Sequence, residues 1–141
     1  MKTLFALLAA TVALAFAATA TAASPHVTVR GSSYGRVLFD ARGFALYAFT
    51  KDVRGRSSCS GACAKAWPPY IVSTRITAGA GARSSLLGTI KRSDGKLQAA
   101  YAGKPLYYYV GDRKPLQILC QNVREFGGLW LVVRPDGTLV R

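Results

Sequence analysis

Few residues in this chain have side chains able to do chemistry: three cysteines, a single histidine and six acids. Two of the acids close copies of one phrase, Leu46-Tyr47-Ala48-Phe49-Thr50-Lys51-Asp52 and Leu106-Tyr107-Tyr108-Tyr109-Val110-Gly111-Asp112. If the copies pack together, Asp52 and Asp112 approach each other, and paired carboxylates can share acid–base work. The plainer reading is that each aspartate follows a strand and accepts nearby backbone N–H groups to fix a turn. Arg54 and Arg113 stand close by as ion-pair partners. The turn-fixing role is the expectation for both.

The aromatic residues divide in the same way. Tyr47, Phe49, Tyr107 and Tyr109 recur at period two, the spacing of a strand with one buried face. Core packing is expected, and a stacking platform for a flat ligand is the competing use. Tyr108 points the other way and, with Tyr70 and Tyr101, is the expected exposed aromatic patch.

Cys59 and Cys63 are separated by three residues, and Cys120 stands alone. In an oxidising compartment one bridge forms and one thiol is left over. The local pair is always near, so Cys59–Cys63 is expected. A bridge to Cys120 is the alternative, and Cys120 is otherwise unassigned. A thiol-redox or electron-transfer role for the three cysteines is the sharper reading. The Cys-x-x-x-Cys spacing is not that of a thioredoxin-like motif, although Arg54, Arg56 and Lys65 would favour a thiolate.

His26 is the one histidine, so a Ser–His–Asp or Cys–His arrangement would rest on a residue near the start of the processed chain. Three cysteines with one histidine can in principle hold zinc, but oxidation opposes it. No haem-attachment sequence occurs, and Met1 is the single methionine. No metal and no cofactor are expected, and no enzymatic activity.

The elements that must position these residues are short. Val27–Arg30 and Arg36–Phe39 read as strands, Asp40–Gly43 as a hairpin turn, and Phe44–Phe49 as the partner strand. Cys59–Ala66 can make a turn or two of helix capped by Ser57 or Ser58, which Trp67-Pro68-Pro69 stops. Thr77–Ala82 reads as a flexible link. Leu87–Lys91, Leu97–Tyr101, Pro105–Tyr109, Leu129–Val133 and Thr138–Val140 are strands of a second unit. At an offset of sixty, Gly35 answers Gly95 and Gly43 answers Gly103, so the phrase belongs to an internal repeat. The expected fold is all-β: two pseudo-repeat antiparallel units forming a sandwich or a partly open barrel, with short helical turns after each motif.

Lys2, the apolar run Leu4–Ala18 and the small residues Ala20-Thr21-Ala22 read as a signal peptide cut after Ala22, give or take one residue. Residues 23–141 then form a single β domain of units spanning about 27–76 and 83–141. Losing Lys2 takes the formal charge from +13 to +12. The basic residues are scattered, which draws the protein towards polyanions without making a nucleic-acid tail. Anionic lipid, lipopolysaccharide or acidic glycan are the expected neighbours, with no nucleic acid and no transmembrane segment after cleavage.

Tyr47, Phe49 and Asp52 with Tyr107, Tyr109 and Asp112 carry a wider likeness. So do the run from Cys59 through Cys63 to Trp67-Pro68-Pro69, and Gly127-Gly128-Leu129-Trp130 leading to Pro135-Asp136-Gly137. Together they resemble the bacterial secreted-repeat proteins, also described as predicted lipoproteins with a Tyr-x-aromatic-x-x-Asp motif. The resemblance implies an exported envelope or extracellular protein with no established activity. Many such proteins carry a lipid on a cysteine at the cleavage site. This chain has no cysteine there, so a periplasmic or extracellular protein without a lipid anchor is expected.

Overall fold

In a computed structural model, Ser24 and residues 26–141 are described. The expected signal peptide lies outside them. The chain runs β1 (His26–Ser32), β2 (Gly35–Asp40), β3 (Tyr47–Phe49), α1 (Ala62–Ala66), β4 (Ile71–Val72), β5 (Thr77–Ala78), one 3-10 turn (Ser84–Leu86), β6 (Leu87–Lys91), β7 (Leu97–Tyr101), β8 (Lys104–Pro105), β9 (Val123–Glu125) and β10 (Gly128–Val132). It is an all-β sandwich of small sheets with no closed barrel.

The two hairpins recur at the repeat's offset, with the pairing of the second shifted by one residue. β1 and β2 pair antiparallel with Ser32 opposite Gly35, and β6 and β7 pair antiparallel with Lys91 opposite Leu97. Gly35 and Gly95, which answer each other in the repeat, both take positive φ in these turns, where a side chain would be strained. β4 and β8 extend the second sheet on β7, and β10 joins β3 to β9 in a third.

Strand alternation feeds two cores rather than one. Val37, Phe39, Tyr47, Phe49, Tyr107 and Val132 enter one cluster, while Leu38, Leu46, Ala48, Leu106 and Val133 enter the other. The motif strands are therefore buried on both faces. The sequence pattern, with Tyr47 and Phe49 on one side and Leu46 and Ala48 on the other, describes this sorting.

Several elements differ from expectation. Phe44–Phe49 is not one long partner to β2. It leaves β2 after the Phe39–Ala45 bridge, and Tyr47–Phe49 instead pairs with β10. Pro105–Tyr109 is likewise reduced to β8 and bridges from Tyr107 to Tyr47 and Pro69. The Gly/Ala-rich stretch is not a free link, because β5 pairs parallel with β1 and Gly79 packs where a Cβ would lie 3.0 Å from His26. The helix is capped by Gly61 at positive φ, not by Ser57 or Ser58. Among the described residues no helix follows the second motif, whose next residues form turns. β9 has no apolar alternation to mark it in the sequence.

Candidate functional site

The two motifs meet at their tyrosines. The Tyr47 N–H donates to the Tyr107 carbonyl at 2.9 Å, and the Tyr107 N–H returns the bond to Tyr47 at 2.9 Å. This reciprocal pair puts equivalent residues of the two repeats face to face. From there each side chain reaches the other repeat's aspartate. The Tyr47 hydroxyl donates to Asp112 Oδ2 at 2.7 Å, and the Tyr107 hydroxyl donates to Asp52 Oδ2 at 2.7 Å.

Each aspartate also does the work expected of it in its own loop. Asp112 Oδ1 accepts the Leu119 N–H at 2.9 Å. Asp52 Oδ1 accepts the Ser58 N–H at 2.7 Å and the Ser58 hydroxyl at 2.8 Å. One carboxylate thus fixes a loop with one oxygen and clamps the opposite repeat with the other. Neither Arg54 nor Arg113 is a partner; among the described residues the ion pairs join Arg42 to Asp40 and Arg92 to Asp94. A tyrosine hydroxyl from the opposite repeat, not Arg54 or Arg113, takes this place at each carboxylate.

Burial dominates the electrostatics. It pushes both Asp52 and Asp112 above the ordinary carboxylate range, opposed by the hydrogen bonds they accept. It also raises the hydroxyls of Tyr47 and Tyr107, so both stay protonated as donors. The halves differ in their surroundings. Around Asp52 lies the buried Arg92, whose guanidinium donates to Ser57 Oγ at 3.0 Å, Gln98 Oε1 at 2.7 Å and the Cys59 carbonyl at 2.7 Å. Ser57 Oγ is in turn 2.7 Å from the Tyr107 hydroxyl. Asp112 has no such cation in its hydrogen-bond set.

The motif aromatics stack in a column. Phe49 lies on Trp130 at 4.2 Å, Trp130 on Trp67 at 4.1 Å with planes 4° apart, and Tyr109 tilts onto Trp67 at 4.8 Å. Tyr47 meets Trp67 edge-on at 5.3 Å, and Tyr107 meets Trp130 edge-on at 5.1 Å. The order therefore reads the same from either repeat, with the two tryptophans at its centre. The Trp67 indole N–H donates to Glu125 Oε2 at 2.7 Å, whereas that of Trp130 is buried without a partner.

Cys59 and Cys63 are joined in a disulfide with Cα atoms 5.3 Å apart, both buried beside Trp67. Cys120 is a free thiol against Tyr109, and burial raises its pKa, which disfavours the reactive thiolate. The expected exposed patch is not one: Tyr101 is fully buried and bonds the Pro135 carbonyl, and Tyr70 is buried in the core that holds Leu38 and Leu46. Tyr108 is half-buried and donates to Asp40 at 3.0 Å, with Arg42 over its ring.

Beside the Asp52 end of the column opens a cleft of about 310 Å³. Phe49 and Asp52 form its wall, with Arg54, Lys104 and Arg141 around them. Arg54 lies across Gly103, where a Cβ would come within 2.8 Å of its side chain. At the corresponding place in the other repeat, Pro115 packs against Gly43, with 3.1 Å left for a Cβ. Arg92, Gln98 and Glu125 have no signal in the sequence pattern, and Ser57, expected as a helix cap, instead bonds Arg92 and Tyr107.

Fold and site together define an all-β protein built from two copies of one motif, each completing the other. The chain belongs to the family described as a secreted repeat of unknown function, whose model matches it twice, over residues 28–70 and 88–134. It is an exported protein. No curated protein and no solved structure matches it. No helix among the described residues is long and apolar enough to cross a membrane.

Proposed function

We propose that this is a non-enzymatic binding module, periplasmic or extracellular and without a lipid anchor, that takes an anionic group in the Phe49–Asp52 cleft. The observation that carries this reading is the division of labour around the motif. Both aspartates are engaged by tyrosines and loop N–H groups, so they hold the scaffold, and the open space beside Asp52 has Arg54, Lys104 and Arg141 on its rim. Arg54 and Arg141 are exposed and Lys104 is half-buried, which leaves their charges free to meet a ligand. The excess of basic residues adds long-range attraction to the same class of partner. An acidic lipid headgroup, lipopolysaccharide or an acidic glycan shares the chemistry required.

The test is sedimentation with phosphatidylglycerol vesicles, lipopolysaccharide micelles or polygalacturonate, at low and high salt. Binding to at least one should weaken as the screening length shrinks from about 10 Å at 0.1 M to about 3 Å at 1 M. Replacing Arg54 and Lys104 together by alanine should lower it further. Negligible binding at both salts, or binding indifferent to the double substitution, would remove the cleft from the account.

A further inference from the structure

The aromatic column has a property that packing does not require. Its central indoles are parallel and in contact at 4.1 Å, so their π systems overlap, while each is flanked edge-on by a tyrosine whose hydroxyl donates to a carboxylate, the buried Asp112 or the half-buried Asp52. A phenol that loses an electron becomes a strong acid, so it is oxidised readily only where its proton has somewhere to go. Asp112 and Asp52 supply that place at 2.7 Å, and burial raises their proton affinity. A buried carboxylate facing a hydroxyl is a costly way to join two repeats that apolar side chains could join as well.

The two tryptophans are not equivalent. The Trp67 N–H has the Glu125 carboxylate to receive its proton, but Trp130 has no acceptor. A Trp130 cation radical would keep its proton, remain strongly oxidising, and pass the hole to Tyr107 at its edge. One end of the column emerges at the half-exposed Tyr109.

We propose that this assembly is a one-electron relay. A one-electron oxidant such as an organic peroxyl radical takes an electron at Tyr109, and the hole moves through Trp67 and Trp130 to Tyr47 or Tyr107. There the phenolic O–H bond breaks and the proton passes to Oδ2 of Asp112 or Asp52. The products are the reduced oxidant, a neutral tyrosyl radical and a carboxylic acid. A one-electron reductant of the enediol class returns the electron, and the carboxylic acid returns the proton.

The test is flash oxidation of the protein by photogenerated tris(bipyridine)ruthenium(III), read by electron paramagnetic resonance with ring-deuterated tyrosine to separate tyrosyl from tryptophanyl signals. The expected product is a tyrosyl radical indifferent to a paramagnetic nickel chelate in solution, because Tyr47 and Tyr107 are fully buried. Its signal should fall by about half in Tyr47→Phe or Tyr107→Phe and vanish in the double variant, with near-UV circular dichroism confirming the fold. A tryptophanyl signal alone, or a tyrosyl signal relaxed by the chelate, would overturn the proposal from the unaltered protein even if the variants failed to fold. A tyrosyl signal surviving in a folded double variant would also overturn it.

Discussion

Tyr47→Phe removes one oxygen from the centre of the molecule and leaves the ring edge against Trp67 in place. What is lost is the 2.7 Å bond to Asp112, a carboxylate that is 7% exposed and retains the Leu119 N–H as a donor. A hydrogen bond to a charged group contributes about 1.5–3 kcal/mol, and the stranded oxygen adds desolvation cost, so we expect a loss of about 2–3 kcal/mol at neutral pH. At about 4 °C per kcal/mol for a domain of this size, Tm should fall by about 8–12 °C. The loss should also depend on pH. Burial holds Asp112 above its ordinary value of 3.8, so in that window the folded protein binds more protons than the unfolded chain. The carboxylate's contribution to stability is therefore greatest below the unfolded value and declines as pH rises through the folded one. Removing Tyr47, whose bond lowers that folded value, pushes it higher still and deepens the decline. Urea unfolding of both proteins at about pH 7 and about pH 3 should show a smaller difference in acid. A loss below about 0.5 kcal/mol, or one equal at both pH values, would refute the assignment of Asp112 as a charged acceptor.

Other substitutions probe the frame of the site. Replacing Cys59 and Cys63 together by alanine opens a five-residue ring, expected to cost about 2 kcal/mol in the chain-entropy account; reducing the unaltered protein should shift its urea midpoint comparably. Gly128→Ala would place a Cβ 2.5 Å from Phe49 Cε2, pressing that ring off Trp130, so a cost of about 1–3 kcal/mol and altered tryptophan fluorescence are expected. Gly95→Ala, at positive φ but with nothing within 4 Å, should cost only the backbone strain of about 1–2 kcal/mol and leave the fluorescence unchanged.

The repeat was legible because strand alternation and turn glycines are local signals: β1, β2, β6, β7 and β10 all lie where period two and Gly-bearing turns indicate. Where partners come from far along the chain, the sequence was mute. The pairing of Tyr47–Phe49 with β10 joins segments some eighty residues apart, and no local pattern selects it over β2. Alternation predicted that Tyr47 and Phe49 share a face but not that the opposite face would also be buried. The Asp turn was read correctly for one oxygen of each carboxylate and missed for the other, because a hydroxyl donor from the opposite repeat leaves no mark beside Asp52 or Asp112. The tryptophans trailing each copy were visible as residues, but their parallel contact is a property of two loops meeting.

The central claim is that the repeats complete each other crosswise. A set of double-mutant cycles on stability, pairing Tyr47→Phe and Tyr107→Phe with Asp52→Asn and Asp112→Asn, tests it most directly. Coupling of about 1–2 kcal/mol is predicted for Tyr47 with Asp112 and for Tyr107 with Asp52, with nothing beyond about 0.5 kcal/mol for Tyr47 with Asp52 or Tyr107 with Asp112. Coupling confined within each motif, or absent from all four pairs, would contradict it.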